Sequence, residues 1–168
     1  MLRLTLTISI ALAVSTTTAV LAQSKTDLFG FSPGVPVALA KEMVQQKQMT
    51  CEPPQSDGTL TCNGNMGDIR FFVAQNLPNS PVTDVDFNWY RRDASFEQVV
   101  ANVSEQYGQQ PVKKKVFTAS WALPNGSALD LFCDPQGNSC GLQLSSPTLK
   151  DQAKAASAAK ASKDQPKF

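Results

Sequence analysis

Cys133 and Cys140 fall inside a stretch whose apolar residues alternate, and together these features fix a strand register. Phe117, Ala119, Trp121 and Leu123 alternate with Thr118, Ser120 and Ala122, the period of a half-buried strand. Pro124-Asn125-Gly126 reads as a three-residue hairpin loop with Gly126 in the left-handed position. Pairing Leu123 with Ser127 then sets Trp121 against Leu129, Ala119 against Leu131 and Phe117 against Cys133. A second turn over Asp134 to Ser139 pairs Cys133 with Cys140, Leu131 with Leu142 and Leu129 with Leu144. A slip of one residue would break both the apolar face and the disulfide, so the two signals support each other.

That face needs a cover, and Ser95 to Gly108 supplies one. Ser95 and Gln98 form an S-x-x-Q capping box, and Gly108 with Pro111 ends the helix. Phe96, Val99, Val100, Val103 and Tyr107 share one helical face.

The first half follows a similar plan. Lys25 to Val35 is a lead-in, irregular or a short strand through Leu28, Phe29 and Phe31, and Pro36 opens a short helix to Gln46 as its first residue. Met49–Glu52 and Thr59–Cys62 read as strands around the loop Pro53 to Gly58, and pairing Cys51 with Cys62 puts Met49 and Leu60 on one face. Ile69 to Ala74 alternates weakly, the pattern of a strand buried on both faces or of a central strand. Val85, Phe87 and Trp89 alternate cleanly with Asp84, Asp86 and Asn88, the pattern of a half-buried one.

The expected fold is therefore α+β. It is a single domain, an antiparallel sheet with two helices on one face, an α-β-β pseudo-repeat and two hairpin disulfides, Cys51–Cys62 and Cys133–Cys140. Each disulfide would stabilise by roughly 2–3 kcal/mol. In plan this resembles the tandem, disulfide-bearing units of the secreted β-lactamase inhibitor proteins. The resemblance is architectural and carries no residue over.

Residues 1–22 read as a secretory signal peptide cleaved after Ala22, with Arg3 in its n-region and an apolar run from Leu4 to Val14. Gln23 follows the cleavage site, so no lipid-bearing cysteine is expected there. Residues 23–148 form the exported domain, periplasmic if bacterial and otherwise secreted, and four cysteines suit an oxidising compartment. Residues 149–168 are an Ala/Lys-rich tail, expected to be flexible or a frayed helix. The tail carries five Lys and two Asp, a net of +3, against a body of −3. This asymmetry is too slight for nucleic-acid binding. No second apolar run approaches the ~20 residues of a membrane span.

The chain has no His, which removes His-based nucleophilic catalysis. Cysteine spacings of C-x10-C and C-x6-C without His do not suit zinc. Gly30-Phe31-Ser32-Pro33-Gly34 matches the nucleophile-elbow string G-x-S-x-G. Pro33, however, stands where that elbow needs a backbone N–H, so a tight turn is expected instead. Asp84 and Asp86 share a strand face at roughly 6.5–7 Å, a spacing that suits a glycosidase pair. Solvent on that face would leave them ordinary. No catalytic residue, metal site or cofactor is expected.

The candidate contact surface is Tyr90 with two basic clusters, Arg91-Arg92 and Lys113-Lys114-Lys115. Tyr90 sits opposite in parity to Trp89, which with Trp121 is expected in the core. The clusters flank the helix about 20 Å apart and need not form one patch. The expected function is non-enzymatic binding of another envelope or extracellular protein, one form being an inhibitor of an enzyme there. The alternative is a small-molecule or lipid carrier with a helix–sheet pocket near Phe71, Phe87 and Val103. A remote alternative is a hydrolase built on Asp84 and Asp86, which would need both in a cleft.

Overall fold

The computed structural model describes residues 25–65, 67–90, 94–136 and 139–163. The expected leader, Arg91 and Arg92 lie outside the described residues, as does the end of the tail. The elements run α1 (Val37–Gln46), β1 (Thr50–Cys51), β2 (Leu60–Gly64), β3 (Gly67–Val73), β4 (Val82–Tyr90), α2 (Phe96–Tyr107), β5 (Lys113–Lys115), β6 (Thr118–Ala122), β7 (Ala128–Cys133), β8 (Ser139–Ser145) and α3 (Pro147–Lys163). The strands form one antiparallel sheet in the order β1-β2-β3-β4-β8-β7-β6-β5.

Each half is a helix followed by a four-stranded meander, so the pseudo-repeat is α-β-β-β-β rather than α-β-β. The halves meet where β4 pairs with β8, Val85 opposite Leu144 and Phe87 opposite Leu142. The disulfides do not occupy equivalent places. Cys51–Cys62 joins β1 to β2 at an outer edge, and Cys133–Cys140 joins β7 to β8 beside the centre. The registers Trp121–Leu129, Leu131–Leu142 and Cys133–Cys140 are those the sequence predicts.

One core cluster unites the buried residues of α1 (Ala40, Val44) and α2 (Val99, Val100, Val103) with one sheet face. The α2 caps are as expected: Ser95 and Gln98 form the capping box, and Gly108 sits at φ 66° in the left-handed region. Pro36 precedes α1 as its cap, with ψ 139°, instead of forming its first turn. The reason is a bridge between Pro36 and Pro81, with the Val37 N–H donating to Ser80 O, which holds Pro36 extended.

The burial of β3 and β4 is the reverse of the expectation. β3 is half-exposed, whereas β4 is buried from Val82 to Phe87, including Asp84 and Asp86. The cause is position. β4 lies centrally between β3 and β8, and on the face away from α1 and α2 its carboxylates sit among Arg70, Gln143 and Lys150.

β5 is a strand that hydrophobic patterning does not reveal, because all three of its residues are exposed lysines. α3 is a helix with no buried residue. The Ser146 hydroxyl accepts from Leu149 N–H, the Lys150 ammonium reaches Asp84 at 2.5 Å, and Asn76 Nδ2 donates to Ala153 O and Ser157 Oγ, each at 2.7 Å. Beyond Ser157 its described residues are all exposed.

Candidate binding cleft

An aromatic cleft of about 500 Å³ opens between α2 and the end of β4. Phe87, Trp89 and Tyr90 come from β4, Leu142 from β8, and Val99 and Val103 from α2. Asn102 and Gln106 supply polar groups on its helical side. The Phe87 and Trp89 rings stack, with centroids 5.7 Å apart and planes 17° apart. They do so because alternate residues of a strand share a face. Tyr90, on the opposite parity at the strand end, is 83% exposed at the mouth of the cleft.

The fourth aromatic is Phe29, whose ring centroid lies 4.2 Å from that of Phe87. It belongs to a tight two-residue turn. Leu28 and Phe31 exchange both backbone hydrogen bonds, and Phe29 and Gly30 between them have φ 55° and 86°. Positive φ at both central positions is the demand of a type I′ turn, which Gly meets freely and Phe only at a cost. Polar contacts hold the turn. The Asp27 carboxylate accepts from Gly30 N–H at 2.6 Å, and the Asp27 carbonyl accepts from the Tyr107 hydroxyl at 2.7 Å. Tyr107 is fully buried, and burial pushes its phenol well above the ordinary range, with the Asp27 charge adding to the effect. It therefore stays protonated and able to donate. The Lys25 ammonium stands 5.3 Å from the Tyr107 ring centroid and 5.7 Å from that of Phe29. The result is a strained aromatic residue held at the wall of an open cleft.

Sequence reasoning missed Phe29. The signal available was weak: Asp27 three residues before Gly30, an acceptor placed for a turn amide. Trp89, expected in the core, packs against it half-buried and also lines the cleft. The Gly30–Gly34 string, expected to be one tight turn, is a pair of turns with both glycines at positive φ.

The cleft takes in Phe87 and Val103 of the pocket expected between helix and sheet, but not Phe71. Phe71 is fully buried, edge-on to Phe31 at 5.0 Å. The lysines of β5 are not beside Tyr90. Four strand spacings separate β4 from β5, about 19 Å. Strand alternation also divides them. Lys114 turns to the helical face and pairs with Glu97 of α2, while Lys113 and Lys115 pair with Ser120 and Thr118, on the other parity.

Asp84 and Asp86 lie on the face opposite the cleft, 3% and 8% exposed, and solvent does not bathe them as expected. Asp84 faces a groove of about 540 Å³ shared with Lys150, but Asp86 does not line it. Desolvation raises the Asp86 pKa; Gln143 and Arg70 oppose the shift and Asp84 adds to it. One oxygen of Asp86 has no hydrogen-bond partner. Among the described residues, no three His, Cys, Asp or Glu side chains gather to hold a metal ion, and no helix is long and apolar enough to cross a membrane. Comparison with protein-family models, curated proteins and solved structures gives no match.

Proposed function

We propose that this is an exported, non-enzymatic protein that acts by binding another envelope or extracellular protein, with the aromatic cleft as its anchor point. The observation that carries this reading is Phe29 at φ 55°, held against Phe87 beside the 83% exposed Tyr90. Backbone strain persists where surrounding structure enforces it, and it concentrates at sites of function. Tyr and Trp side chains in a concave apolar setting are the commonest energetic anchors of protein interfaces. Inhibition of an enzyme in that compartment is one form such binding would take. The two disulfides favour an oxidising location.

The test is a cross-linked capture from an envelope extract, using the mature protein and its Tyr90→Ala and Trp89→Ala variants. A partner taken by the wild type and lost by both variants supports the cleft. Equal capture by all three would move the binding surface elsewhere.

A second reading has its own support. The cleft volume lies within the roughly 300–1,000 Å³ of small-molecule sites, which suits a carrier of apolar ligands. Quenching of Trp89 fluorescence by a bound fatty acid or apolar dye, absent in Trp89→Phe, would favour the carrier.

A further inference from the structure

The outer edge of β5 lies on the far side of the sheet from the cleft. Among the described residues no strand pairs with that edge. The opposite edge, β1, has two residues and is tied by a disulfide. β5, only three residues long, is thus the edge with no disulfide tie, and its surroundings do more than protect it. Lysine on an edge discourages strand pairing, yet Val112 and Val116 at its two ends are 64% and 79% exposed. Val116 lies on the side of α2, in a groove with Phe96 and Glu97.

Two grooves run along that side, separated by the Lys114–Glu97 ion pair. One, about 430 Å³, is lined by Val100 and Ala101 with the polar Ser104, Glu105, Gln109 and Gln110. The other, about 480 Å³, is lined by Phe96, Val116 and Phe117. On the other parity Lys113 and Lys115 project without a salt-bridge partner among the described residues. A helix alongside an open strand edge is a setting for strand addition, in which main-chain hydrogen bonds give affinity and alternate side chains give specificity.

We infer that β5 accepts an extended segment of a partner protein by strand addition, with acidic residues at alternate positions facing Lys113 and Lys115 and small apolar residues between them entering the two grooves. Charge decides the occupant. Opposite charges directly across a strand pair stabilise and like charges destabilise. A second copy would bring its own three lysines to the edge, so the segment is acidic and belongs to another protein. This interaction is independent of the cleft.

The test uses the mature protein and three labelled nine-residue peptides, read by fluorescence polarisation. One alternates valine with glutamate, one alternates valine with lysine, and one is the glutamate peptide N-methylated at alternate amides. Saturable binding of the glutamate peptide is expected, at least about tenfold weaker for the lysine and N-methylated peptides. The K113E/K115E variant, whose replaced side chains are both exposed, should reverse the order of the two charged peptides. Tyr90→Ala should leave all affinities unchanged, which separates this edge from the cleft. Absence of glutamate-peptide binding to the wild type would overturn the inference. So would equal binding of the N-methylated peptide, which would reduce the attraction to charge alone, or an unchanged order in K113E/K115E.

Discussion

The Tyr107 hydroxyl on the last turn of α2 donates to the backbone carbonyl of Asp27, 2.7 Å away and eighty residues earlier in the chain. The bond is part-buried, and it ties the turn carrying Phe29 to the helix that forms the opposite wall of the cleft. Tyr107→Phe should cost about 1–2 kcal/mol, the range for one such bond with its acceptor left behind. A lower urea midpoint at unchanged slope would report it. The phenol's folded pKa is raised, so its contribution is complete below the unfolded value of about 10 and is lost as pH rises past it. The gap between wild type and variant should therefore narrow above pH 10.

Phe29 separates strain from packing. Phe29→Ala keeps a β-carbon at φ 55° and loses the ring contact with Phe87, whereas Phe29→Gly loses the ring but relieves the backbone. The glycine variant should be the more stable of the two by about 1 kcal/mol, the typical cost of a left-handed non-glycine residue. Both should lose cleft binding. Thermal or urea unfolding gives the order, and a more stable alanine variant would show that the turn does not enforce the left-handed conformation.

The Lys150–Asp84 pair holds α3 to the sheet, with the carboxylate buried and the lysine side chain 47% exposed. Lys150→Met strands the carboxylate and should destabilise by about 1–2 kcal/mol. That is less than the 3–5 kcal/mol of a fully buried pair, because water reaches the ammonium. Adding Asp84→Asn should recover most of the loss. Urea unfolding of the two single variants and the double isolates the coupling, and strictly additive losses would show that the two groups do not interact.

Asp86 titrates against folding. Its folded pKa is raised, so the native state binds the proton more tightly than the unfolded chain. The charged carboxylate therefore weakens folding at neutral pH. That penalty fades as pH falls through the folded value, and it is absent below the unfolded value of about 3.9. Asp86→Asn should be more stable than wild type at pH 7, with the difference shrinking toward pH 4. Unfolding midpoints measured across that range check the sign.

Much of the fold is legible in the sequence because the signals there are local. The register from Phe117 to Leu144 follows from period-two alternation with a cysteine pair as a second constraint, and α2 is marked by its capping box and Gly108. What escapes depends on partners distant in the chain. Nothing within Val82–Tyr90 says that Arg70 and Lys150 will cover its aspartates, and alternation alone makes it look half-exposed. Lys113–Lys115 has no apolar pattern and is a strand only because β6 pairs with it. The cleft was legible in part. Phe87 and Val103 follow from their faces, but Phe29 in a left-handed turn contradicts its own propensity, and its placement depends on Tyr107.

Among the described residues, six of the seven strand pairings join strands that are consecutive in the chain, and β4 with β8 is the exception. Each meander can zip up from its own hairpins, so the entropy of closing a long loop falls on the one step that brings Asp84 opposite Ser145. Until that step, each half presents its longest strand as a bare edge. A chain severed between Tyr90 and Phe96 would therefore yield two fragments with matching sticky edges, and their reassociation would rebuild the native seam. The molecule is in this sense a covalent version of a two-piece complementation system, and its tether makes the second piece effectively always present at high local concentration.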